Sequence, residues 1–359
     1  MLERDQVIWA YQELLGREPE NQLVIEQKRY AQDLGALVRE IVESREYLFN
    51  SRRKITAADV AWGYHEFLGR EPESDAVLAA GVASGSLGNL IRNLLGSDEF
   101  RIREPRVFAL MNQWLIFESP HGFRLWVNMA DVGVSGQVMR GTYETDEVAF
   151  ITSILKPGQA VIDIGANIGY LTHMMAMAVG SSGKVISFEP HPIIYERLAL
   201  SVAENGFAQC ETHNMALGDV ADDGILEFGL DGANFGGMRL LGTEAPADVA
   251  ICKVPIRRLD DVIDPSQRID FIKIDVEGSE PLVVRGANSL IRTHRPIIVS
   301  EILGRSLREM HGMTAADYIF QVCELGYQCR SLTAGGTVGE VFEPTGMVEF
   351  ANVIFLPKT

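Results

Sequence analysis

Asp163, Gly165, Asn167 and Gly169 sit between a β-branched apolar run at 161–164 and an apolar, helix-forming run at 171–179. Glu189 follows Gly169 by twenty residues, at the end of Val185-Ile186-Ser187-Phe188. The order is strand, glycine turn, helix, strand, acid. Glycines at 165 and 169 let the backbone approach a ligand closely, and the helix start offers unpaired N–H groups. An acid at the tip of the second strand is placed to accept hydrogen bonds from the ribose hydroxyls of an adenosine cofactor.

Two cofactor classes use such a turn. A dinucleotide needs G-x-G-x-x-G, because the pyrophosphate rests on bare backbone at the helix start. Here Asn167 replaces the second glycine of that pattern, and Asp163 stands two residues before the first. A carboxylate there repels pyrophosphate, yet it can anchor the amino-acid end of S-adenosylmethionine, directly or through water. An NAD-dependent oxidoreductase is therefore disfavoured at Asn167, and a scaffold that binds cofactor without turnover is the third reading.

The largely apolar stretch 269–274 delivers Asp275 and Glu277 at its carboxyl end, where open α/β sheets bind ligands. Paired carboxylates in that position suit removal of a hydroxyl proton, or coordination of a divalent metal that acidifies the hydroxyl. The plain alternative is that Asp275 caps the next turn and Glu277 is structural. Glu301, at the end of a fifth strand over 296–301, and His191 are the reserve bases.

The elements that must position these groups follow from pattern. A hairpin is expected from Trp114 to Val127 around Pro120-His121-Gly122, and a helix over 146–155. A helix starts near Pro192 and stops at Asn205-Gly206. The third strand spans Thr212–Leu217, with Ala216 and Leu217 at its tip, and Asp219 reads as a turn residue. Extra strands at 226–228 and 252–256 flank a glycine-rich loop at 232–237, either a lid or a plain surface loop. The chain closes with a helix at 315–325, strands at 327–332 and 352–356, and a short terminal hairpin.

The first hundred residues repeat. Trp9-x-Tyr11-x-x-Leu14-Leu15-Gly16-Arg17-Glu18-Pro19-Glu20 returns 53 residues later from Trp62 to Glu73, and Ser44-x-Glu46-Tyr47 returns as Ser97-x-Glu99-Phe100. Val7, Tyr11, Leu14 and Leu15, like Val60, Tyr64, Phe67 and Leu68, share one helical face, and the aromatic stripe is expected in the core. Thr56-x-x-Asp59 resembles a capping box, and Gly16 and Gly69 stop the helices. Neither copy holds a catalytic constellation. Both resemble a bacterial helical domain found beside glycan-related enzymes, which implies a docking role toward a glycan-assembly partner or a second copy of the chain.

A chain of 359 residues accommodates more than one domain. Its formal charge of −17 argues against a nucleic-acid partner, since phosphate contacts come from Lys and Arg clusters. No apolar run approaches the ~18 residues of a membrane span, the N-terminus lacks the apolar core of a signal peptide, and four scattered cysteines show no metal-ligand or disulfide spacing. A cytoplasmic protein is expected. The expected domains are helical repeats at 1–52 and 53–103, a connecting segment with the hairpin at 104–140, and a cofactor domain at 141–359.

Six motifs in order carry a wider resemblance: Gly-x-Tyr-Glu at 141–144, Asp-Ile-Gly-Ala-Asn-Ile-Gly-Tyr at 163–170, Phe-Glu-Pro at 188–190, Asn-x-Ala-Leu-Gly-Asp at 214–219, Lys-Ile-Asp-Val-Glu-Gly-Ser-Glu at 273–280 and Arg-Pro-Ile-Ile at 295–298. Together they resemble FkbM-type methyltransferases. The resemblance implies an α/β fold, a Rossmann-like class I sheet that is mostly parallel with a terminal antiparallel hairpin, behind an all-α repeat domain. It implies S-adenosylmethionine as cofactor and O-methylation of a sugar or glycosylated small molecule. Carried over by position, Asp163, Gly165, Asn167 and Gly169 hold the methionine end, Glu189 the ribose, and Ala216 with Leu217 the adenine. Tyr143, Glu144, Tyr170 and Asp275 join the cofactor residues, and Asp275 with Glu277 faces the transferred methyl. The metal requirement stays open.

Overall fold

A computed structural model describes residues 2–15, 18–19, 21–31, 34–42, 55–84, 90–91, 93–94, 97–103, 113–131, 133–228, 239–240, 250–344 and 348–358. The chain divides into two units, residues 1–108 and 109–359.

In the first unit the described elements are all helical: α1 (Arg4–Leu15), α2 (Gln22–Lys28), α3 (Leu34–Val42), α4 (Ala57–Gly63) running into a π turn over Tyr64–Leu68, α5 (Asp75–Ala83) and α6 (Asp98–Arg103). The copies differ at that π turn, since α1 is continuous where its counterpart is not. Val7, Tyr11, Ile25, Leu37 and Ile41 bury one face of the first copy. Trp9 lies off that face and is 41% exposed, so the tryptophan does not belong to the core stripe. Thr56 and Asp59 form the expected capping box, and Gly69 ends its helix at φ +65°. Gly16 and the 44–47 motif lie outside the described residues.

The second unit begins with the hairpin β1 (Trp114–Glu118) and β2 (Arg124–Asn128), then α7 (Ser135–Arg140) and α8 (Thr145–Ile154). Its main sheet uses β3 (Ala160–Ile164), β4 (Lys184–Phe188) and β5 (Cys210–His213). Helices α9 (Tyr170–Val179) and α10 (Pro192–Glu204) connect them. A second sheet follows, made of β6 (Ala216–Leu217), β7 (Asp222–Phe228), β8 (Arg239–Leu240) and β9 (Ala250–Arg257). The chain returns through α11 (Leu259–Val262) to β10 (Phe271–Ile274). Then come α12 (Glu280–Gly286), α13 (Asn288–His294), β11 (Ile297–Leu303), α14 (Gly304–His311), α15 (Ala315–Cys323), β12 (Tyr327–Thr333), β13 (Thr337–Val341) and β14 (Phe350–Pro357).

The main sheet has the order β13-β12-β14-β11-β10-β3-β4-β5, parallel from β11 to β5 and antiparallel from β14 to β13. Its parallel strands are near-continuous apolar runs because helices cover both faces. Ile162, Ile272, Ile274 and Ile298 pack on one side with α12, α13 and α15. Val161, Phe271, Val299 and Ile354 pack on the other with α8 and α9. Each such side chain contributes about 1.5–3 kcal/mol by leaving water.

Three expected elements differ. The third strand ends at His213, and Ala216–Leu217 belong instead to the second sheet, pairing with Ile256 and Arg257 of β9. The side chain of Asn214 makes this break, donating to the carbonyls of Glu189 and Pro190, both 2.9 Å away. β11 runs two residues past Glu301, so that acid lies within the strand rather than at its end. The C-terminus is not a simple hairpin: β13 pairs with β12, and β14 inserts between β12 and β11. The loop at 232–237 lies outside the described residues.

Candidate active site

The carboxyl ends of β3, β4, β10 and β11 converge on a cavity of about 470 Å³, at the sheet edge where open α/β folds receive ligands. Its lining includes Phe188, Glu189, Met215, Ala216 and Leu217, with Gly165 and Asn167. A polar part of the lining holds Tyr143, Glu144, Glu147, Asp275, Glu277 and Glu301.

Glu189 stands just beyond β4 and is 3% exposed. Its Oε2 accepts the N–H of Asn167 at 2.9 Å and its Oε1 accepts the N–H of His191 at 2.8 Å. Burial pushes the carboxyl up to about 7, against those two backbone bonds. A carboxylate has about four acceptor sites, so two remain for ligand hydroxyls. Asn167 can offer its N–H because it adopts φ +51°, a left-handed conformation that Asn tolerates better than most residues.

Gly165 is required for a reason different from ligand approach. At φ +80° a Cβ would overlap the carbonyl oxygen of Asp275, so the βα turn after β3 and the end of β10 are in backbone contact. Gly169 begins α9 at φ +92°, where a Cβ would strike Leu198.

Asp163, Gly169 and Tyr170 do not line the cavity. Side chains alternate along a strand, and the neighbouring Ile164 takes the cavity-facing position. Asp163 is fully buried behind the wall, with Oδ2 accepting from Thr172 Oγ1 at 2.6 Å. Its Oδ1 is buried without a hydrogen-bond partner, and burial raises its pKa. Asp163 thus stands one layer behind the cavity lining. Tyr170 packs edge-on against Tyr143, ring centres 5.8 Å apart, and so supports a residue that does reach the cavity. His191 is 2% exposed, caps α10 and lies outside the lining. Asp219 pairs with Arg285 at 2.7 Å.

Lys273, Glu147 and Asn352 carry no role in the sequence reading, yet the fold places Glu147 and Asn352 on the cavity lining and Lys273 directly behind it, against Asp275. The amide of Asn352 donates to Glu147, joining β14 to α8. Lys273 Nζ lies 2.9 Å from Asp275 Oδ2 and 4.0 Å from Glu144 Oε1. Burial alone would lower its pKa, but Asp275, Glu144 and Asp163 override this and hold it protonated. The visible signal was a lone charge within an apolar strand.

Burial pushes Glu144 up to about 7, with Lys273 opposing. Burial, reinforced by Asp275, raises Glu301 well above the carboxylate range, so Glu301 holds a proton at neutral pH. Asp275, Glu277 and Glu301 each offer a carboxylate oxygen, all within 4.8 Å of one another. An oxygen-only set of this kind suits a hard divalent cation such as Mg²⁺ or Mn²⁺.

Residues 163–329 match the methyltransferase FkbM domain family. Ribosomal RNA large subunit methyltransferase E of Sorangium cellulosum is 27% identical over 95 residues, covering 24% of this chain and 45% of that protein. The chain thus spans about half the length of that curated relative. The crystal structure of methyltransferase FkbM from Methylobacillus flagellatus is 17% identical with a TM-score of 0.37, over 76% of this chain and 65% of that one. That of the O-methyltransferase TomG from Streptomyces achromogenes in complex with SAM is 12% identical with a TM-score of 0.35, over 60% and 80% of the two chains. No helix among the described residues is long and apolar enough to cross a membrane.

Proposed function

We propose that this chain is an S-adenosylmethionine-dependent methyltransferase acting on oxygen, with a sugar hydroxyl of a glycan, nucleotide sugar or glycosylated natural product as acceptor. The observation that carries the reading is that one cavity is lined by the buried acid Glu189, by Ala216 and Leu217, and by Asp275 with Glu277. The residues present fit the cofactor. Glu189 would hold the ribose hydroxyls, Ala216, Leu217 and Phe188 the adenine, and the turn at 165–169 the methionine end. The unpartnered buried oxygen of Glu144, which lines the cavity, suits a cationic amine nearby. A G-x-G-x-x-G turn for NAD is missing at Asn167.

When bound, S-adenosylmethionine supplies an electrophilic methyl group on a sulfonium. The protein's task is to orient an acceptor oxygen and remove its proton, since a hydroxyl is a weak nucleophile until deprotonated. Asp275 is the base in this reading, with Glu277 beside it. If a divalent ion takes part, Asp275, Glu277 and Glu301 would hold it, and it would acidify the acceptor hydroxyl. The net charge of −17 disfavours an RNA acceptor despite the curated relative's printed name.

Calorimetry with S-adenosylmethionine and NAD tests the cofactor. The first should bind and the second should not. Glu189→Ala should weaken S-adenosylmethionine binding by about 1–3 kcal/mol, the cost of charge-assisted ribose hydrogen bonds. Unchanged affinity would refute the ribose assignment. The raised carboxyl adds a pH signature. Its protonated form is favoured in the fold, so this contribution to stability is present below the ordinary Glu range and lost as pH rises through about 7. Ribose capture uses the ionised form, so affinity should rise at least about tenfold from pH 6 to pH 8 in the wild type, and the rise should be about tenfold smaller in Glu189→Gln, where Glu144 still titrates in this range.

The helical repeats would dock the enzyme to a glycan-assembly partner or to a second copy of the chain. Deleting residues 1–103 should leave S-adenosylmethionine affinity within twofold while changing the oligomeric state or the partner bound. A folded truncation that no longer binds the cofactor would show that the repeats complete the site.

A further inference from the structure

The strand β10 sits between β3 and β11, and Phe271, Ile272, Lys273 and Ile274 are all buried. Central parallel strands favour unbroken apolar runs, and a buried ion pair is often no better for stability than a hydrophobic residue of the same volume. Lys273 is 5% exposed in this strand, in register with Asp163 on one side and Val299 on the other. Fold stability gives little reason for a lysine there.

Its geometry gives another reason. Period-two alternation sets Lys273 and Asp275 on the same face of the chain, and the ammonium reaches the Asp275 carboxylate at 2.9 Å. The same nitrogen lies 4.0 Å from Glu144, which sits at φ +42° on the loop before α8. Lys273 itself does not line the cavity, whereas Asp275 and Glu144 both do. One buried cation therefore ties together two wall carboxylates that lie 131 positions apart in the chain.

We infer that Lys273 is a positioning residue for methyl transfer, whose ammonium fixes the orientation of the Asp275 carboxylate toward the acceptor and ties it to Glu144. This rests on the methyltransferase reading above. Lys273 touches no ligand and acts through Asp275. Displacing a reacting group by ~1 Å can cost about 10²-fold in rate.

The test uses the full chain, with Lys273→Met, Asp275→Asn and the double variant. Crystal structures come first, because they need no acceptor. In Lys273→Met the Asp275 carboxylate should leave its present orientation while the backbone of β10 stays in place. An unmoved Asp275 would overturn the inference. Methyl transfer from labelled S-adenosylmethionine to a panel of methyl glycosides and UDP-sugars comes second. Lys273→Met should lower kcat about 10- to 100-fold, leave KM for S-adenosylmethionine within threefold, and cost less than twofold more in the Asp275→Asn background. Losses that multiply would mean that Lys273 does not act through Asp275. If Lys273→Met does not fold, Lys273→Arg keeps the charge and changes the reach. A displaced Asp275 with a lower kcat supports the inference there, and wild-type values overturn it. Failure of the wild type to bind S-adenosylmethionine would instead sink the underlying reading.

Discussion

Asp275→Asn lowers kcat for methyl transfer by about 10²–10⁴, the usual contribution of a positioned general base, while leaving S-adenosylmethionine affinity nearly unchanged. Asparagine keeps the size of the side chain and one hydrogen-bond acceptor for Lys273, but it cannot take a proton. Three groups surround the position. Lys273 donates to Oδ2 at 2.9 Å, Glu301 shares a hydrogen bond with the carboxylate, and Glu277 lies within 4.8 Å. Glu301 is not available as a general base, because burial and Asp275 already keep it protonated at neutral pH. It is better suited to donate to Asp275 than to accept from a substrate. His191 is no longer a substitute, since it lies outside the cavity. If the carboxylates hold a cation instead, chelator inhibits the wild type and added Mg²⁺ or Mn²⁺ restores turnover. Folded Asn and Gln variants at 275 and 277 that bind cofactor and turn over at the wild-type rate would eliminate both roles.

Gly165→Ala should be the most damaging small substitution in the cofactor unit, costing about 2–6 kcal/mol of stability and abolishing measurable cofactor binding. Two independent penalties add. The left-handed φ of +80° disfavours any Cβ, and the Cβ would also occupy the space of the Asp275 carbonyl oxygen, which is backbone and has no rotamer to yield. Relief requires β3 and β10 to part at their carboxyl ends, where Asp275 N donates to Ile164 O at 3.0 Å. Gly158 is the control. It has φ +87° but only Ser182 Oγ within reach of a Cβ, at 3.8 Å, so Gly158→Ala should cost about 1–2 kcal/mol, from conformation alone. Denaturant unfolding of the two variants separates strain from contact. Equal losses would mean that the close approach of the two strand ends does not matter.

The repeats, the βα turn, the acids at strand tips and the apolar strands were legible in the sequence, because each follows from local chemistry. A glycine pair after a β-branched run implies a tight turn, short apolar β-branched runs imply strands, and Thr56 with Asp59 implies a helix start. Asn167 disfavoured a dinucleotide turn on the same local grounds. The tertiary structure decided what long-range pairing controls. Whether Asp163 faced ligand or α9 depended on which side of the sheet carried the cavity, a question of alternation relative to distant helices. Ala216 and Leu217 left the main sheet because β9, some forty residues later, offered them a partner. Glu147 and Asn352 met only once β14 had inserted beside β11. Lys273 stood in plain view as a charge in an apolar strand. Its role stayed hidden because its partners come from β3, β10 and the loop before α8, and only the packed sheet brings carboxylates from all three around one ammonium.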